Sequence, residues 1–107
     1  MRTLLDIKTE ITEILSARKE ELTKRQISRN RNRVAFLNHI SMYLENNPDE
    51  LYLGREIGRI ENRMKLIYDQ YPGEWSLVDK DTKKKYEQEN DIPKLRLQLR
   101  VLRFIKK

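Results

Sequence analysis

The chain has 107 residues, of which 37% are apolar and 37% charged, with three Gly, three Pro and no Cys. That length suits one small domain, too few turn residues are present for an all-β fold, and the missing Cys removes disulfides and thiolate metal sites. The net charge of +6 is unevenly placed: residues 1–47 hold nine Lys/Arg and six Asp/Glu, residues 48–91 eight and eleven, and residues 92–107 six and none.

Leu4, Ile7, Ile11, Ile14, Leu15 and Leu22 follow helical spacing and predict an amphipathic helix over residues 3–24. Asp6, Glu10, Glu13 and Glu20 fall on its other side as a solvated face, because no nucleophile or metal ligand accompanies them. Between Leu22 and Val34 the only large apolar residue is Ile27, nearly opposite the first stripe. The core-facing side is interrupted there, so a bend or hairpin is expected near residues 27–32, although no Pro or Gly forces one. Residues 22–44 contain no acid and carry Lys24, Arg25, Arg29, Arg31 and Arg33. From Val34 the apolar period resumes through Leu37, Ile40 and Leu44, with Phe36 and Tyr43 at its margins.

ENNPDE reads as a helix start, with Asn47 as cap, Pro48 in the first helical position and Glu50 able to reach back. Leu53, Ile57, Ile60, Met64, Ile67 and Tyr71 then alternate by four and three, a heptad seam of the coiled-coil kind. Gly54 and Gly58 stand beside it; either another helix approaches closely there or the helix is locally weak. The seam stops at YPGE, where Pro72 and Gly73 suit the centre of a type II turn. Residues 72–91 are then polar and are read as a connector, with Ser76 and Asp79 able to begin a short helix and Trp75, Leu77 and Val78 as anchors.

The last stretch, KLRLQLRVLRFIKK, alternates as a strand for seven positions and then loses that period at Leu102 and Arg103. Read as a helix, Arg96, Arg100, Arg103 and Lys107 form one basic line that persists to the end. Helix is the preferred reading and an edge strand, able to add to a partner's sheet, the alternative. The helix would carry Leu95, Leu99 and Leu102 on one flank and Leu97, Val101 and Phe104 on another, an arc too wide for one helical hairpin to cover.

The expected fold is mainly α: a small helical bundle or long helical hairpin over residues 1–71, a polar connector over 72–91, and a basic docking tail over 92–107. His39 is the single histidine, and no phosphate loop, nucleophile motif or calcium loop occurs, so no catalytic, cofactor or metal site is expected. The primary functional expectation is a non-enzymatic structural or assembly protein, held in a homo- or hetero-oligomer such as a phage or virus particle. Leu53, Ile57, Ile60 and Met64, with Leu95, Leu97, Leu99 and Phe104, would bury against neighbouring subunits. Arg96, Arg100 and Arg103 would pair with a neighbour's acids. The alternative is a small nucleic-acid-binding protein whose Lys24, Arg25, Arg29, Arg31 and Arg33 contact phosphates non-specifically. With no long apolar run and no secretory leader pattern, a soluble, cytoplasmic or virion location is expected, without a membrane.

Overall fold

A computed structural model describes residues 2–46 and 50–107. Five helices are present among them: α1 (Leu4–Leu15), α2 (Lys24–Asn46), α3 (Glu50–Asp69), α4 (Lys80–Glu89) and α5 (Ile92–Lys106), with short 3-10 turns at Lys19–Glu21 and Trp75–Leu77. No strand occurs among the described residues, so the fold is mainly α and the last segment is a helix rather than an edge strand.

The first helix is shorter than the apolar spacing predicts, and the break lies upstream of residues 27–32, through which α2 runs unbroken. The physical cause is a cap. Thr23 Oγ1 accepts from the Gln26 N–H at 3.1 Å, and Gln26 Oε1 accepts from the Thr23 N–H at 2.9 Å. This reciprocal box satisfies donors that no helical carbonyl can reach, and so starts a helix without Pro or Gly. Thr3 and Asp6 do the same for α1. Leu15, assigned by spacing to the buried stripe, is exposed at the end of that helix.

The cap expected at Asn47 and Pro48 lies outside the described residues. At the other end of α3 the chain turns at Pro72 and Gly73 as expected, with Gly73 at φ +139°. The closure is tighter than a type II turn, because the Gly73 N–H donates to the Tyr71 carbonyl at 3.0 Å. Residues 72–91 are more ordered than a plain connector. Asp79 caps α4, accepting from the Thr82 N–H at 3.0 Å and the Thr82 hydroxyl at 2.6 Å. The Trp75 ring meets Tyr68, Tyr71 and Tyr86 with centroids 5.0, 5.2 and 5.6 Å away, and the Tyr86 hydroxyl donates to the Ile67 carbonyl. This aromatic cluster holds a helix that has almost no apolar stripe of its own. Asp91, at φ +58°, then lets the chain pass directly from α4 into α5; Asp tolerates that left-handed conformation better than most residues.

α5 is the hub: it packs against α2, α3 and α4, while α1 packs against α2. Ile92, Leu95, Leu99, Val101, Leu102 and Ile105 are buried along it, beside Leu53, Ile60 and Ile67 of α3 and Leu37, Ile40 and Leu44 of α2. Most of the arc that looked too wide for a hairpin is covered because three helices, not one, surround it; Leu97 and Phe104 stay half-buried. Arg2 ties the two ends of the fold together: its N–H donates to the Ile105 carbonyl at 2.6 Å and its Nε to the Phe104 carbonyl at 2.9 Å. These are carbonyls of the last helical turn, which otherwise lack partners.

Close helix approach does not explain the glycine pair. A Cβ on Gly54 would have only Lys106 Nζ nearby, at 3.9 Å, and a Cβ on Gly58 would meet nothing within 4 Å. The locally weak helix is the reading that fits. The molecule is a flattened slab, 46 × 39 × 18 Å, with a radius of gyration of 16.1 Å, where a compact domain of this length would have about 13 Å.

Candidate functional site

The residues expected to dock or to contact phosphate all lie among the described residues. Leu53 and Ile60 are fully buried, Leu95 and Leu99 nearly so, and Ile57 and Met64 pack half-buried against the same core. The apolar surfaces expected to bury against a neighbour are thus joined to each other inside one chain. Two of the three tail arginines likewise find acids at home. Arg96 Nη2 lies 2.5 Å from Glu87 Oε2, and Arg103 Nη2 lies 3.8 Å from Glu61 Oε1. Phe104 is half-buried beneath the Arg2 guanidinium, 4.2 Å from the ring centroid. The acidic middle of the sequence thus meets part of its basic end, through Arg96 and Arg103.

Arg100 and Leu97 remain, and they face a groove. It has a volume of about 950 Å³ and lies between α2, α4 and α5. From α2 it receives Arg25, Arg29, Asn32, Phe36 and His39, whose spacings of four, three, four and three place them on one helical face. From α5 it receives Lys94, Arg96, Leu97 and Arg100, and from α4 Lys84 and Glu87. The two basic blocks, more than sixty residues apart in sequence, here become opposite walls of one cleft. Six cations line it against two carboxylates, Glu87 and Asp91.

Among the described residues, Arg25, Arg29, Lys84, Lys94 and Arg100 have no ion-pair partner. Arg33 does have one, Glu10 at 3.3 Å, and turns toward α1. Lys24 and Arg31 are exposed but lie outside the groove. The phosphate-contacting set expected from sequence therefore divides: Arg25 and Arg29 belong to the cleft, while Lys24, Arg31 and Arg33 do not.

One carboxylate in the cleft is occupied by a single cleft cation, Arg96. Glu87 Oε2 accepts from the Tyr68 hydroxyl at 2.6 Å as well as from Arg96, and Arg96 Nη2 also approaches the Tyr68 oxygen at 3.0 Å. Burial, with the Glu87 hydrogen bond, pushes the Tyr68 hydroxyl up to about 12, so it stays a donor at neutral pH. This three-residue knot joins α3, α4 and α5 and fixes one rim of the groove. The aromatic side chains at the other wall are Phe36 and His39, stacked with ring centroids 6.2 Å apart and planes at 28°.

Lys84, Lys94, Phe36 and His39 were not part of any expected site. The 25–29–32–36–39 periodicity was a readable signal for the α2 wall; nothing in the sequence foretold that α4 and α5 would face it. Among the described residues no cluster of His, Asp or Glu is placed to hold a metal ion, and no helix is long and apolar enough to cross a membrane. No protein-family model, curated protein or solved structure matches the chain.

Proposed function

We propose that this chain is a non-enzymatic binding protein that holds nucleic-acid phosphates, without base selectivity, in the groove between α2, α4 and α5. One observation carries the reading: two separate basic blocks converge on a single concave surface, and five of its cations lack acidic partners among the described residues. The contrast with the rest of the chain gives this weight. Arg33, Arg59, Arg96 and Arg103 each pair with a carboxylate, so acids are abundant but are not supplied to these positions. Unscreened like charges in a cleft repel one another and concentrate a polyanion. Fluorescence anisotropy with labelled nucleic acid tests it. Arg29→Gln and Arg100→Gln should each weaken binding and shallow its salt dependence by about one phosphate's worth, whereas Arg31→Gln, outside the groove, should change it little. Equal losses from all three would remove the groove from the account.

A second reading, a subunit held within a larger assembly, is favoured by a different observation. The chain exposes 8048 Å², where a compact monomer of its 13.0 kDa mass would expose about 6,300 Å². In that reading the outer faces do the docking, since the seam and most of the tail's apolar side chains are already covered.

A further inference from the structure

The groove contains more than charge. α2 presents Arg25 and Arg29 in its first two turns and Phe36 and His39 two turns later along the same face. Across from them α5 presents Lys94 and Arg100 around Leu97. Cations on two walls, with rings and an aliphatic side chain in the same groove, match the two halves of a nucleotide. Phosphates seek the cations, and an unstacked base seeks a ring face. A duplex gains nothing from Phe36 or His39, because its bases are already stacked on each other. A single strand does, since each base offers a free π-face to an aromatic platform.

We infer that the groove selects single-stranded nucleic acid, with the Phe36–His39 pair as the base-stacking platform and Arg25, Arg29, Lys94 and Arg100 as the phosphate clamps. This rests on the phosphate-binding reading above and narrows its ligand. Asn32 and Gln98, also in the groove, offer amides that hydrogen-bond any base edge, which suits binding without sequence preference.

The test compares a fluorescently labelled short oligothymidylate with a blunt hairpin duplex of equal phosphate number, using the full chain. The single strand is expected to bind at least about tenfold tighter, with a salt slope of about −2.8 for the four clamping cations. Phe36→Leu, which keeps an apolar side chain against the core, and His39→Ala, at an exposed position, should each weaken single-strand binding several-fold. Neither should alter the salt slope, and this separates lost stacking from lost charge. Should Phe36→Leu unfold the chain, judged by circular dichroism, His39→Ala carries the test alone. Equal affinity for the hairpin, or ring variants that bind like the parent, overturns the inference and leaves phosphate binding standing. Binding to neither ligand, or displacement by polyglutamate as readily as by oligothymidylate at equal charge, overturns the phosphate reading as well.

Discussion

At the scale of single residues, two positions convert geometry into measurable stability. Gly58 sits inside α3 with open space where a Cβ would go. Glycine there loses backbone entropy on folding and has no packing role in return. Gly58→Ala should therefore stabilise the protein by about 1 kcal/mol, raising the thermal midpoint by roughly 4–8 °C; an unchanged or lower midpoint would mean that α3 needs the glycine for a neighbour outside this chain. Asp79 acts through its charge. Hydrogen bonds from the Thr82 hydroxyl and then the Thr82 N–H hold its carboxyl below the ordinary 3.8. A carboxylate whose folded pKa is depressed stabilises above the unfolded value and loses that contribution as pH falls through the folded one. Asp79→Asn, which keeps a capping oxygen, should melt below the parent at neutral pH, and the two should converge as the solution is acidified through and below 3.8. A gap that persists in acid would show that the cap does not work through ionisation.

At the scale of elements, α5 decides whether there is a fold at all. Among the described residues it supplies six of the thirteen buried apolar side chains, so its removal leaves α2, α3 and α4 without the surface all three share. Leu102→Ala, at a fully buried position, should cost about 2–5 kcal/mol, a large part of the roughly 5–15 kcal/mol that holds a domain folded. Arg103→Gln should cost less than about 1 kcal/mol, because its partner Glu61 lies at 3.8 Å and both side chains are more than half exposed. Chemical denaturation measures both, and a near-neutral Leu102→Ala would return the tail to the role of a peripheral dock. The existence of α3 and α5 was legible because each carries an apolar stripe with an intact helical period. Their mutual burial was not, because a stripe states that something covers it and not what. The break between α1 and α2 was legible in principle, in Thr23 and Gln26 spaced as a capping box, but the continuing stripe of Leu15 and Leu22 concealed it. α4 was obscure for a different reason: KDTKKKYEQE has one aromatic and no aliphatic side chain, and its place is set by Trp75 and Tyr71, which pack against Tyr86. The groove inherits that obscurity, since its third wall is α4 and its two basic walls are distant in sequence. Legible were the α2 face, with Arg25, Arg29, Phe36 and His39 in register, and the basic line of Arg96 and Arg100 on α5, but not that the two would face one cleft.

At the scale of the whole molecule, the flattened shape leaves about 1,700 Å² more surface exposed than a compact chain of equal mass. That excess is about twice what one partner contributes to an interface of ordinary size. Leu5, Leu66 and Leu77 are 73%, 58% and 82% exposed on it. Such side chains scattered singly are normal on a monomer, but on a slab 18 Å thick they add to a surface that folding has not reduced. The nucleic-acid and assembly readings then make different claims about the same purified protein. If the surface excess serves assembly, the mass measured by light scattering should climb above 13.0 kDa as concentration rises, and added salt should not reverse it, because apolar contact is not screened. If association is only a strand bridging two grooves, nuclease treatment and high salt should return the monomer, since bridging depends on released counterions. A sample stripped of nucleic acid that keeps a monomer mass at every concentration would remove self-association as the use of that surface. The groove would then be the one feature of the chain whose chemistry still asks for a ligand.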